Sequence, residues 1–247
     1  TSSIDMLLVP NRLIASGFAI DEATTLYGYL AGMAQPLILL ATIPTTSLAV
    51  SLVPAVSEAF TLGDEEGIAK KAAMAMKLCC LITVPAAVGM SVMAEELSLL
   101  LYGTSKAAVA IMHSGPALWL LGMQQVTTGV LQGMGKINIP MLNMVCGLAA
   151  KVCAVWFLTN ATYNIAGAAW ASNINFGLAA LLNIYVLYRF GIKFKWQEIA
   201  KVVLAASLMG VAAHFGYQVL VQALAHRTLA TIGAIGFSAM MHGYMAF

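Results

Sequence analysis

Apolar residues run along this chain in long blocks, and short polar stretches separate one block from the next. The blocks cover about 1 to 18, 24 to 60, 72 to 94, 107 to 132, 140 to 159, 166 to 188, 200 to 224 and 229 to 247. A helix rising 1.5 Å per residue needs about 20 residues to cross roughly 30 Å of hydrocarbon, and runs of that length recur throughout. The pattern predicts an all-α protein, a polytopic transmembrane helix bundle. The first and last blocks read as incomplete spans, and a chain that opens on Thr1 reads as a piece of a longer membrane protein.

The polar stretches supply the orientation. Lys70, Lys71, Lys136, Arg189, Lys193, Lys195 and Lys201 fall at one end of the predicted bundle, while Lys106, Arg227, Asp21, Glu22, Glu95 and Glu96 fall at the other. The positive-inside bias assigns the lysine-rich end to the cytoplasm. Within Thr61 to Lys77, Asp64 is placed to cap a helix, and Glu66 is spaced to pair with Lys70 at i, i+4. Tyr188 and Trp196 flank the basic loop at 189 to 195 as interfacial aromatics do.

Composition agrees with the pattern and narrows the chemistry. Apolar residues make up 61% of the chain and charged residues 9%, against about a quarter charged in soluble domains, so a soluble fold is excluded. Apolar blocks continue to the last residue, unlike the single short block of a signal peptide. The formal charge of +2 is too small to imply a nucleic-acid partner. Cys79 and Cys80 are adjacent, and Cys146 and Cys153 share a helix face. Neither spacing is that of a redox pair or a metal site, and buried free thiols are expected. GMGK at Gly133 to Lys136 reads as a turn, since the rest of a phosphate-loop pattern is missing. His113, His214, His226 and His242 are scattered, and neither HExxH nor GxSxG occurs, so no enzyme, metal or cofactor is expected.

The second block is the unusual one. Pro36, Pro44 and Pro54 each remove one backbone hydrogen bond and free a carbonyl four residues earlier. Inside a membrane those groups need partners, and Thr42, Thr45, Thr46, Ser47 and Ser51 are available to supply them. Together with Gln35 they suggest a bent, gate-like helix lining a polar cavity. Gly28 and Gly32 form a GxxxG that invites close approach by another helix.

Ionisable residues inside the spans carry more weight, because a charge at mid-bilayer costs at least about 2.5 kcal/mol. Asp5 and Arg12 lie seven residues apart, near one helix face, with Asn11 beside Arg12. Arg12 either snorkels to the outer surface or faces a cavity as a cation. Lys151 falls in the middle of its span, on a polar stripe with Asn143 and Gly147 that predicts a bundle-facing or cavity-facing position. Two further stripes, Gln124, Thr128, Gln132 and His214, Gln218, Gln222, predict interhelical hydrogen bonding, as do Asn173, Asn175 and Asn183.

Several segments then resemble a known family. LYGYLAGMAQPL from Leu26, SLAVSLVPAVSEAF from Ser47, LCCLITVPAAVGMSVMAEELSLLLYG from Leu78 and GVLQGMGKINIPMLN from Gly129 occur in that order. They are similar to the C-terminal half of polysaccharide-exporter membrane proteins of the stage V sporulation protein B type. Those are relatives of bacterial lipid II flippases in the multidrug/oligosaccharidyl-lipid/polysaccharide exporter superfamily. The resemblance implies a fourteen-helix, two-lobe transporter of the bacterial plasma membrane, with this chain as its C-terminal lobe over 1–188 and two additional helices over 189–247. It implies transport of undecaprenyl-diphosphate-linked oligosaccharide, with membrane lipids and the N-terminal lobe as the other partners.

On that pattern the helices at 1 to 18 and 24 to 60 line the cavity, and those at 200 to 224 and 229 to 247 form a groove for the lipid tail. The expected substrate-binding residues are Asp5, Arg12, Gln35, Thr42, Ser51 and Lys151, and the expected gating prolines are Pro36, Pro44 and Pro54. One departure is visible: lipid II flippases often carry an Asp-Arg pair early in the helix where this chain reads GYLAGMAQ. Cation duty then passes to Arg12, to Lys151 or to the other lobe. Two alternatives differ in chemistry. An ion-coupled multidrug exporter would use Asp5 as its membrane carboxylate, and a non-transporting scaffold in envelope or spore assembly would need none of these residues.

Overall fold

The computed structural model describes residues 2–224, and side chains as far as Phe215 together with Tyr217. The predicted span at 229 to 247, with His226, Arg227 and His242, lies outside the described residues, as do the side chains of Gln218 and Gln222. The described chain is helical between short connections. It comprises α1 (Ser2–Ala15), α2 (Ile20–Gly28), a π-helical turn (Tyr29–Ala34), α3 (Gln35–Ala41), α4 (Ile43–Thr61), α5 (Glu65–Val92), α6 (Ala94–Tyr102), α7 (Ala108–Gly133), α8 (Asn138–Leu158), α9 (Asn164–Arg189) and α10 (Trp196–Leu224). Among these, α4, α5, α8, α9 and the Trp196–Phe215 part of α10 are long and apolar enough to cross a membrane.

Helix α7 packs against α4, α5 and α9 and touches the π turn, so it is the post around which the others gather. Its glycines make this possible. A Cβ on Gly122 would sit 2.8 Å from the Cys79 sulfur, one on Gly129 2.6 Å from the Ala49 carbonyl oxygen, and one on Gly133 2.8 Å from that of Val53. At Gly129 and Gly133 the neighbouring backbone comes within contact, and at Gly122 the Cys79 and Thr83 side chains do, the small-residue packing that helices use in lipid.

Two apolar cores result. One, toward the lysine-rich end, joins Val56, Met76, Val130 and Leu187, and the other joins Leu13, Ile111, Leu118 and Val155 toward the opposite end. Outside them, Leu142, Trp156 and Phe157 on α8 and Leu204 and Leu208 on α10 are exposed, as lipid-facing positions should be.

The polar connection before α5 behaves as its residues dictate: Asp64 Oδ1 accepts from the Gly67 amide at 2.8 Å and caps the helix. Glu66 and Lys70 form no salt bridge, however. The ion pairs near this end centre instead on Glu198, which meets Lys77 Nζ at 3.1 Å across the fold and Lys195 at 3.5 Å within its own segment. Lys71 Nζ reaches back to the Ala55 carbonyl oxygen at 2.7 Å, joining α5 to α4.

Other expectations need correction. The predicted spans omit α6, a short helix with Glu95 and Glu96 in its first turn and Gly103 closing it at φ 68°. Those are sequence signals of an independent helix. The Gly28 and Gly32 pair meets nothing: a Cβ on either would find no atom within 4 Å among the described residues. Only half the thiols are buried, Cys79 and Cys80, whereas Cys146 and Cys153 are exposed on α8. That helix buries only the stripe containing Gly147 and Lys151, and both cysteines lie off it.

Candidate functional site

The second block is one helical path interrupted twice. After α2 the chain takes the π turn Tyr29–Ala34, where the Gln35 amide bonds back to the Leu30 carbonyl, one residue farther than in an α-helix. Pro36 follows in the first turn of α3, and Pro44 stands in the first turn of α4, just past Thr42. Pro54 sits inside α4, which continues through it. The Tyr102 hydroxyl donates to the Met33 carbonyl at 2.8 Å and ties α6 to the π turn.

The hydroxyls do not repair the proline gaps as expected. Thr42 donates to Ile38, Thr46 to Thr42, Ser47 to Ile43 and Ser51 to Leu48. A helical Ser or Thr reaches only the carbonyl three or four residues back, and none stands in register with Leu40 or Val50, the carbonyls ahead of Pro44 and Pro54. What the hydroxyls build is a clamp: Thr45 Oγ1 donates to Gln125 Oε1 at 2.7 Å, and Gln125 Nε2 donates to Thr46 Oγ1 at 3.0 Å. Gln125 of α7 thereby holds the start of α4 immediately after the break.

Beside this break lies the charge. Asp5 shares the buried face of α1 with Val9 and Leu13. Lys151 lies opposite on α8, and its Nζ donates to Asp5 Oδ2 at 2.6 Å, with the side chains only 4% and 5% exposed. The two residues line one recess of about 110 Å³ together with Gln35, Ser114, Ser172 and Phe176. It has room for several ordered waters. Two charges removed from water hold together only when paired, and losing either partner strands the other. The pair therefore fixes α1 against α8 and cancels both formal charges.

Of the expected site residues, the structure brings Asp5, Gln35 and Lys151 to one recess. Thr42 is buried one turn beyond it, with its hydroxyl committed to the backbone. Ser51 is exposed on α4. Arg12 stands apart: its Nε donates to the Trp156 carbonyl at 2.9 Å and its guanidinium lies 4.7 Å from the Trp156 ring centre, near the end of α8. Seven residues of helix place it about 10 Å along the axis from Asp5.

The predicted stripes divide. Asn143 donates to Asn183 at 2.8 Å, Gly147 lies under the Asn175 backbone, and Lys151 completes the row, so this stripe faces the bundle. Asn183 also bonds Thr127 and Thr128, and Asn173 donates to the His113 carbonyl. Gln124, Thr128 and Gln132 line a second cavity of about 550 Å³ between α4 and α7, with Thr46, Gln125 and Pro54. Gln125, Ser114, Ser172 and Tyr102 were not singled out in the sequence. Gln125 is adjacent to the Gln124 stripe, but the hydroxyls carry no local signal: Tyr102 finds Met33 across 69 residues, and Ser114 and Ser172 meet Asp5 and Lys151 only in the folded recess.

No protein-family model matches the chain. Stage V sporulation protein B of Bacillus subtilis (strain 168) is 33% identical over 178 residues, covering 72% of this chain and 34% of that protein. Lipid II flippase MurJ of the same organism is 23% identical over 123 residues, 48% of this chain and 23% of that protein. A multidrug resistance MATE family transporter of the MOP superfamily, solved in an outward-facing conformation, superposes with a TM-score of 0.63 at 17% identity, over 99% of this chain and 57% of the transporter. The chain thus spans about a third of the length of the sporulation protein it matches. Similar in sequence to stage V sporulation protein B and to a lipid II flippase, and sharing the fold of a MATE transporter of the MOP superfamily, this chain is a multi-pass protein of the bacterial plasma membrane.

Proposed function

We propose that this chain is one lobe of an exporter that flips a polyprenyl-diphosphate-linked oligosaccharide across the plasma membrane by alternating access. The observation that carries the reading is the buried Asp5–Lys151 pair, set in a recess beside the π turn and the Thr42 break. A diphosphate needs a cation in a site that water can enter. Lys151 supplies one when Asp5 releases it, either by protonation or by competition from the substrate's own anion. Release also unfastens α1 from α8, which couples the charge exchange to movement of a helix. The interrupted path from α2 to α4 gives that movement a place to bend, because irregular backbone at membrane depth is tolerated where it lines a cavity.

The test uses the full-length protein reconstituted in liposomes with a fluorescent polyprenyl-diphosphate sugar. Wild type moves the lipid to the opposite leaflet, and Lys151→Gln stops it. Absence of movement by wild type, at verified insertion, overturns the reading. A second reading is favoured by Phe176 beside Asp5 in the same recess: an exporter of amphipathic cations, with Asp5 as the coupling carboxylate. Drug efflux by wild type, lost on Asp5→Asn without any flipping of the sugar lipid, would select it.

A further inference from the structure

The lysine-rich end carries a further recess that the transport reading does not use. The start of α5 and the segment 193–199 enclose about 620 Å³, lined by Lys70, Lys77, Lys193, Lys195, Glu66 and Glu198. Glu198 is shared by two of the lysines, Lys77 at 3.1 Å and Lys195 at 3.5 Å. Lys70 and Lys193, both exposed, form no salt bridge among the described residues. Cationic capacity is therefore left over after the internal pairing is complete.

The surroundings choose the ligand. Phe194 lies buried in the recess wall, and its ring meets the half-exposed Trp196 edge-on at 6.2 Å. Tyr188 and Phe190 are exposed on the preceding turn, so aromatic side chains mark headgroup depth here. From the recess, Met74, Leu78 and Ile82 form an exposed row at i, i+4, i+8 along α5, with exposures of 66%, 41% and 41%. A basic mouth at headgroup level that continues into an apolar strip matches a phosphodiester headgroup with acyl chains, and a soluble anion would have no use for the strip.

We propose that this recess is a binding site for an anionic glycerophospholipid of the lysine-rich leaflet, with Lys70 and Lys193 holding the phosphate and the Met74–Ile82 row contacting an acyl chain. Basic pockets between helices recognise anionic headgroups in this way, and each lysine near the surface strengthens the attraction several-fold. The bound lipid bridges the start of α5 and the loop that enters α10.

The test is native mass spectrometry of the full-length protein titrated with phosphatidylglycerol or phosphatidylcholine. Wild type retains phosphatidylglycerol and not phosphatidylcholine, K70Q/K193Q weakens the retained lipid roughly 30-fold, and K70R/K193R preserves it. The unfolding temperature of each variant, read in parallel, shows that the exposed lysines are not needed for folding. Equal retention of phosphatidylglycerol by wild type and K70Q/K193Q overturns the proposal. So does its complete displacement by inorganic pyrophosphate at matched concentration, which would mark a soluble-anion site.

Discussion

Helices α7 and α8 are neighbours in sequence, joined through the tight turn at Gly135, yet α8 adds to its packing on α9 a buried ion pair that α7 does not have. α7 is clasped through glycines, with Gly122, Gly129 and Gly133 letting α4 and α5 touch its backbone. α8 is mostly turned outward: 17% of its membrane-spanning window is buried, against 56% for α9. Its one buried stripe packs along α9, where Asn143 and Gly147 meet that helix, and the Lys151–Asp5 bond at the end of the row ties it to α1. Backbone packing without side chains has one good arrangement, whereas an ion pair can be broken by a proton or a competing charge and then re-formed. A fixed post beside an exchangeable latch is what a lobe needs if some of its helices are to move and others are not.

Four variants sharpen the contrast. The largest effect should come from the latch: Lys151→Met strands a buried carboxylate and should cost about 3–5 kcal/mol in detergent unfolding. The double variant Asp5→Leu/Lys151→Met should recover most of that, because no unpaired charge remains. Equal losses for the single and double variants would show that the two residues are not coupled. Next comes the post, where Gly129→Ala drives a methyl against the Ala49 carbonyl oxygen and should cost about 1–3 kcal/mol by the same measurement. The smallest effect should have the opposite sign. Gly32→Ala meets open space, so the better helix propensity of alanine should stabilise the protein by roughly 0.5–1 kcal/mol. A destabilisation at Gly32 would mean that another segment packs on that face.

Much of this was legible beforehand because it is local. Block length predicted the long spans α5, α8, α9 and α10, Asp64 predicted its cap, and the row at Asn143, Gly147 and Lys151 predicted which face of α8 turns inward. The π turn was not legible in LYGYLAGMAQPL: Pro36 announces a defect, but whether the chain bends, tightens or widens depends on what Tyr102 and α7 place against it. The Gly28 and Gly32 motif misled for a related reason. Small residues permit close approach but do not supply the approaching helix, and the glycines actually used, spaced at seven on α7 in Gly122 and Gly129, are no more conspicuous.

The sequence by itself settled that this is an all-helical membrane protein, roughly where its helices cross and which end carries the lysines, since hydrophobic length and charge bias act within a segment and need no partner. Tertiary structure alone decided which polar groups meet. Asp5 and Lys151 lie 146 residues apart, and Thr45 finds Gln125 across 80, so nothing near either residue encodes the contact. In a low-dielectric interior a polar group is defined by what neutralises it, and only the packing of whole helices brings that neutralising group within reach.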